Sequence, residues 1–275
     1  MLELPEAVTL EHQFRDTLVG KTIARAVAGA APHGFAFYAG EPETYGALLA
    51  HRTITGAASR GGMPEIWAGD VRVCFTDGVN VRYLAPGDAR PAKHQLLLDF
   101  DDGSAVCCTV AMYGGLWAFP AGQFDNPYYR VAGEKPSPLS DAFDRAYFAS
   151  LADEAGGRAS AKAFLATQQR IPGLGNGVLQ DILWRSHVHP KRRLETLGAH
   201  DRAALYASVR TTLADMTAAG GRATEKDLYG DPGGYAPVLS RLTDGLPCPA
   251  CGTPIVHLAY LGGRVYVCAG CQPLP

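Results

Sequence analysis

The chain has 275 residues, with 25 Lys+Arg against 27 Asp+Glu, 47% hydrophobic residues and a mean hydropathy of −0.04. At roughly 100 to 200 residues per domain, that length predicts two domains. The composition excludes wholesale disorder, and no apolar run approaches the roughly 20 residues that a membrane span requires.

Met1 to Leu10 carries glutamates and no basic residue, so it does not read as a secretory signal, and a cytoplasmic location is expected. The formal charge of −2 argues weakly against a nucleic-acid partner, but the charge is unevenly spread. Residues 1–159 hold 13 basic and 19 acidic side chains, whereas residues 160–275 hold 12 and 8. Because fields decay over a Debye length of about 8 Å, a basic half can bind phosphate within an acidic whole. Ordinary surface scatter explains the same numbers.

In chain order, Leu10 to Leu18 is amphipathic, with Phe14 and Leu18 at helical spacing. From Lys21 to Phe119 the pattern changes to short strands: Thr22 to Val27, His51 to Ala57, Glu65 to Ala68, Val71 to Thr76, Val79 to Leu84, His94 to Phe100 and Ser104 to Ala111. Asp77-Gly78 and Asp102-Gly103 fall between strands as hairpin turns, which predicts an antiparallel sandwich or barrel over residues 1–119. Pro120 to Pro138, rich in Pro, Gly and Asn, reads as a linker. Helices follow at Ser140 to Glu154, Ser160 to Thr167, Asn176 to His187 and His200 to Ala219, within a helical unit at 139–244. The fold class is α+β.

Seven cysteines fall into two groups. Cys74, Cys107 and Cys108 lie in strand-like runs and read as small buried hydrophobes. Cys248, Cys251, Cys268 and Cys271 form two C-x2-C pairs with 16 residues between them. Two such pairs complete a tetrahedral Zn²⁺ site, and four thiolates leave no open position, so one structural zinc is expected in a ribbon at 245–275. Ile255 to Tyr260 and Arg264 to Val267 are its strands, around Leu261-Gly262-Gly263.

The turn Gln169-Arg170-Ile171-Pro172-Gly173-Leu174-Gly175-Asn176 has a proline that blocks helix and glycines that allow close backbone approach. A helix starting at Asn176 presents free N–H groups, a site suited to a backbone phosphate, although an ordinary helical hairpin has the same pattern.

The order of these segments is informative: Met1-Leu2-Glu3-Leu4-Pro5-Glu6, Ile171-Pro172-Gly173-Leu174-Gly175-Asn176, Val188-His189-Pro190, Pro232-Gly233-Gly234-Tyr235 and the four-cysteine ribbon. In that order they resemble the formamidopyrimidine-DNA glycosylase and endonuclease VIII family over essentially the whole chain. The resemblance implies an N-terminal β-sandwich, a helix-two-turn-helix domain, a zinc ribbon, and duplex DNA bound between domains with the damaged nucleotide flipped out. It implies phosphate binding by Asn176 beside Gly175 and by an arginine at the hairpin tip. It also matches Glu3 and Glu6 to the family's acidic positions and makes Glu3 the proton shuttle at the sugar; read locally, Glu3 suits a capping carboxylate for the helix after it and Glu6 a structural acid, the reading preferred for Glu6.

The sequence departs from the family at four places. Leu2 stands where the family has the proline whose amine attacks C1′, so the nucleophile becomes the primary amine of Met1 or Leu2, and a primary amine still forms a Schiff base. Arg60-Gly61-Gly62 has glycine in place of the family's lysine. Met112-Tyr113-Gly114 replaces an Arg-Phe pair, keeping a stacking ring but no charged probe. Counting back from Cys268 places Gly263 at the family's arginine, with Arg264 one residue later; a one-residue shift reverses a strand side chain's face. Tyr235, Tyr128 and Tyr129 suit either packing or stacking, and Arg185 and Lys191-Arg192-Arg193 suit either phosphate contact or a solvated face.

The resulting expectation is a monomeric, membrane-free DNA-repair protein that excises a modified base from lesion-bearing duplex DNA, with β-elimination at abasic sites doubtful. The alternatives are a catalytically inactive lesion-binding protein and, more distantly, a zinc protein that uses the same cleft for another ligand.

Overall fold

The computed structural model describes residues 2–274. Helix α1 (Leu4–Leu18) starts six residues before the amphipathic run. Pro5 near its start has a ready-made φ, and the backbone N–H of Glu3 donates to Glu6 Oε2 at 3.3 Å, giving the first turn a partner that hydrophobic periodicity does not reveal. Strands β1 (Ile23–Ala28) and β2 (Ala36–Tyr38) precede the short helix α2 (Tyr45–Leu49). Then come β3 (Ile54–Arg60), β4 (Met63–Ala68), β5 (Val71–Phe75), β6 (Val79–Leu84), β7 (Leu96–Phe100), β8 (Ala105–Val110) and β9 (Gly114–Pro120).

These strands form two sheets, β1-β7-β8-β6 and β2-β9-β5-β4-β3. All of their neighbours are antiparallel except β2 and β9, which pair in parallel. Asp102-Gly103 closes the β7–β8 hairpin as expected. Asp77-Gly78 does not close one, because β5 and β6 belong to different sheets and the chain crosses the sandwich there. Phe14, Phe75, Ile66, Val73, Leu98 and Val106 fill the space between sheets.

The segment read as a linker holds helix α3 (Pro127–Glu134). Asn126 caps it by accepting from Tyr128 and Tyr129, and Tyr129 donates to the fully buried Glu65 at 2.7 Å, which fastens the helix to the sandwich. Helices α4 (Arg145–Ala155), α5 (Ala161–Ala166), α6 (Asn176–Arg185) and α7 (Ala199–Ala218) follow. Asp144 caps α4 by accepting from Tyr147 N–H, so that helix begins five residues after Ser140, and Ser160 caps α5 by accepting from Ala163 N–H. The hairpin β10 (Ile255–Tyr260) and β11 (Gly263–Cys268) ends the fold. Among the described residues no helix is long and apolar enough to cross a membrane.

Helix α1 joins the two halves. Its Leu10, Phe14 and Leu18 enter the sandwich core, while Leu4 belongs to the helical core with Phe164, Leu179, Ile182 and Leu213. Glu3 and the first turn of α1 are therefore held at the seam between the halves.

Candidate nucleic-acid interface and active site

Glu3 precedes α1, and the backbone N–H of Leu4 donates to Gly173 O at 2.9 Å, pinning it beside the turn that opens α6. Its carboxylate accepts from the N–H of Gly177 at 2.8 Å and of Val178 at 2.7 Å. Glu3 thus caps α6 rather than its own helix. The amide groups expected to face outward are largely engaged from inside, which leaves Asn176 as the polar group at that helix end.

Gly175 is the room for this arrangement, since a Cβ there would lie 2.5 Å from Glu3 Oε1. Arg222 fills the other side. It is 2% exposed, its Nη1 is 3.3 Å from Glu3 Oε2, and Glu6 accepts from its Nε and Nη2 at 3.0 and 2.8 Å. Burial pushes the Glu3 carboxyl above its ordinary range; Arg222 opposes this, Glu6 adds to it, and the two amides oppose it. Burial works against the Arg222 charge, but Glu3 and Glu6 outweigh it and raise its pKa.

Glu3 lines a cavity of about 490 Å³ between the sandwich and the turn before α6, together with Leu2, Asp77, Tyr113, Trp117 and Tyr128. Asp77 was not singled out by its sequence, where it read as a turn residue. In the fold its carboxyl is pushed up by burial, and Tyr113 donates to its Oδ2 at 3.1 Å. Leu2, whose side chain is buried in the sandwich core, also lines the cavity. Met1 lies outside the described residues.

Where the family's lysine is expected, the β3–β4 turn presses on the turn before α6. A Cβ on Gly62 would stand 3.2 Å from Gly173 Cα and from Leu2 O, and one on Gly61 2.7 Å from Pro172. Two backbones meet where a long side chain would have to pass.

A second hollow of about 420 Å³ is lined by Met112, Asn176, Arg222, Arg264 and Tyr266 among others, so three of the expected DNA contacts share one surface. Met112 and Tyr113 protrude from the β8–β9 turn at 61% and 47% exposure. Asn176 Nδ2 donates to Arg264 O at 2.9 Å, and Gln180 Oε1 accepts from Tyr266 N–H at 2.6 Å, which seats β11 along α6. The hairpin turns at Leu261-Gly262, both at positive φ, so Arg264 pairs with Ala259 and its side chain is exposed.

Tyr235 does not itself line this hollow. It donates to the buried Asp181 at 2.9 Å, and Asp181 also accepts from Val238 and Leu239 N–H, a packing role for both residues. The basic run is mostly paired within the fold: Arg185 with Asp215, Arg192 with Asp201 and Arg193 with Glu195.

The four ribbon cysteines have Sγ atoms within 4.8 Å of one another, with separations of 3.3, 3.5 and 3.7 Å among them. A disulfide would need about 2.05 Å. A tetrahedron of thiolates at about 2.3 Å from a metal has edges of about 3.8 Å, so this set can hold a metal ion. Cys74, Cys107 and Cys108 are buried, as their strand positions indicated.

Residues 135–227 match the formamidopyrimidine-DNA glycosylase H2TH domain. Over its whole length the chain is 28% identical to a formamidopyrimidine-DNA glycosylase of Enterococcus faecalis, of which it covers 98%. A Rhodopseudomonas palustris protein of the same name is 29% identical over 99% of this chain and all of its own. The fold superposes on the MutM (Fpg) protein of Thermus thermophilus with a TM-score of 0.81 at 25% identity, covering 98% of each chain. The chain thus carries an H2TH domain of the formamidopyrimidine-DNA glycosylase type and resembles formamidopyrimidine-DNA glycosylases over its whole length. The Lactococcus lactis Fpg, solved with abasic-site DNA, shares the fold at a TM-score of 0.83 and 23% identity, over 99% of this chain and all of that one.

Proposed function

We propose that this protein is a DNA-repair glycosylase that binds duplex DNA carrying a modified base or an abasic site and breaks the N-glycosidic bond with Glu3 as the acid/base group. The observation that carries this reading is Glu3 itself: a buried carboxylate at the seam of the fold, lining a cavity, with its pKa raised by burial. The names of the relatives and the abasic-site DNA bound by the Lactococcus lactis protein support the same substrate class.

In this reading a nucleophile, either the terminal amine or a water activated by Glu3, attacks C1′ of the deoxyribose. The C1′–N bond breaks and its electron pair leaves with the base, while Glu3 relays the proton. Asn176 and Arg264 engage backbone phosphate, and Met112 and Tyr113 fill the space that an extruded nucleotide leaves in the stack. Zinc, held by Cys248, Cys251, Cys268 and Cys271, supplies a structural crosslink that keeps the hairpin formed and does no chemistry. A DNA-binding domain pair divided near residues 120–138, acting as a monomer, completes the proposal.

Single-turnover base release across a panel of lesion duplexes, with borohydride trapping on abasic DNA, tests this. Base release that disappears in Glu3→Gln supports the glycosylase. Tight lesion binding with neither release nor adduct would instead make the protein a binding module. A trapped adduct at the N-terminus adds strand cleavage through an imine.

A further inference from the structure

Nothing in the local sequence around Arg222 marks it out among the arginines of the chain. In the structure it is among the most deeply buried charged side chains, at 2% exposure, beside Glu3 at 3% and Glu6 at 5%. The division of contacts within this trio is uneven. Glu6 takes Arg222's Nε, its Nη2 and its backbone N–H, at 3.0, 2.8 and 3.0 Å. That fork neutralises the guanidinium and leaves the Nη1 edge for Glu3 Oε2, at 3.3 Å.

Gly177 makes this possible. A Cβ at that position would lie 1.5 Å from Arg222 Nη1, so the guanidinium occupies volume that any other residue in the first turn of α6 would fill. An Arg222–Glu6 pair alone would simply fasten the loop after α7 to α1. The placement of Nη1 through the gap at Gly177 joins that pair to Glu3.

We propose that Arg222 is a positioning residue for Glu3: seated in the space left by Gly177 and neutralised by Glu6, it holds the Glu3 carboxylate against α6 and governs proton transfer there. The inference rests on the reading of Glu3 as the acid/base group. Two carboxylates share one guanidinium in a buried site, so the trio carries one negative charge more than positive unless it takes up a proton. Burial raises the Glu3 pKa, and Glu3 is the member of the trio that opens onto the cavity, so it is the group placed to take that proton. The other charged or titratable groups around Glu3 are Glu225 on the same loop as Arg222, and Asp77 and Tyr113 from the sandwich; α6 contributes only amides.

The test is the pH profile of single-turnover base release from a duplex carrying one formamidopyrimidine base. The limb controlled by Glu3 should move to higher pH in Arg222→Gln and in Gly177→Ala, whose Cβ would stand 1.5 Å from Arg222 Nη1 and evict the guanidinium, while approaching Glu3 Oε1 only to 3.1 Å. It should move to lower pH in Glu6→Gln, where Arg222 is freed to pair with Glu3 alone, and return near the wild-type position in the Arg222→Gln/Glu6→Gln double variant. A displacement of about one pH unit is a tenfold change in rate at a fixed pH on that limb. Folded variants that lose the same factor at every pH, with the limb stationary, overturn the proposal and leave Arg222 a structural staple. Should Glu3→Gln release base like the wild type, the acid/base reading itself falls; should Glu3→Gln be inactive while the limb stays fixed in the other variants, only the role of Arg222 falls. If Arg222→Gln fails to fold, Gly177→Ala and Glu6→Gln still decide.

Discussion

Gly175→Ala isolates the contact on which the site is built. Gly175 has φ −105 and ψ −167, an extended conformation that alanine adopts freely, so the substitution carries no backbone strain. By itself it should even stabilise by a few tenths of a kcal/mol up to about 1, through the unfolded state. The new Cβ, however, would lie 2.5 Å from Glu3 Oε1, against 3.4 Å for ordinary contact. The carboxylate must retreat by about 0.9 Å, and its bonds to Gly177 and Val178, now 2.8 and 2.7 Å, then stretch to about 3.6 Å, beyond useful hydrogen-bond length. Bonds to a charged group contribute about 1.5 to 3 kcal/mol each. Loss of both, offset by the chain-entropy gain and partial relaxation, gives an expected destabilisation of about 2 to 4 kcal/mol. Urea unfolding should show a lowered midpoint with an unchanged slope, and base release should fall at least tenfold because the proton donor is displaced. A variant as stable and as active as the parent would refute the assignment of Glu3 to the first turn of α6.

Cys251→Ser should release the bound metal and abolish DNA binding, read by zinc content and a filter-binding titration; retention of both would remove the ribbon from the interface. Asn176→Ala, which also loses the bond to Arg264 O, should weaken binding to every duplex sequence while leaving the unfolding midpoint within experimental scatter, and an unchanged affinity at controlled salt would count against a phosphate role. Phe14→Ala should cost about 3 to 5 kcal/mol, since the ring is fully buried against Phe75 at 5.8 Å between centroids; a loss under about 1 kcal/mol in chemical denaturation would show that the core collapses to fill the space. Asp181→Ala leaves the Val238 and Leu239 amides without their acceptor and should destabilise by about 2 to 4 kcal/mol, with proteolysis after Tyr235 as the accompanying sign of a loosened segment. Resistance to cleavage equal to the parent's would argue that other contacts hold the loop.

The pattern of apolar residues and turn dipeptides was enough for the two-sheet N-terminal half, the run of helices after it and the cysteine hairpin, because each of these depends on near neighbours in sequence. Strands with clear alternation, such as Val79–Leu84, coincide with their structural limits. Elements whose stability comes from distant partners were missed. Strand β9 opens with Gly114-Gly115 and is absent from the strands that alternation picks out, but its pairing with β5 and β2 places it inside the sheet. Helix α3 was hidden by its composition, although Asn126 and Pro127 are a capping pair that could have revealed it.

The same division holds for the site. Spacing along the chain determined the four thiolates, the glycine-rich turn before Asn176 and the acidic start of α1. What Glu3 touches was decided only by tertiary structure, since its partners Gly177, Val178 and Arg222 lie 174 to 219 residues away and nothing in local periodicity marks them. Gly175 and Gly177 read as turn flexibility in one dimension, and in three they are the spaces that a carboxylate and a guanidinium occupy. A sequence specifies local geometry through nearby sterics, whereas a buried charge is specified by whatever the fold brings within about 4 Å of it.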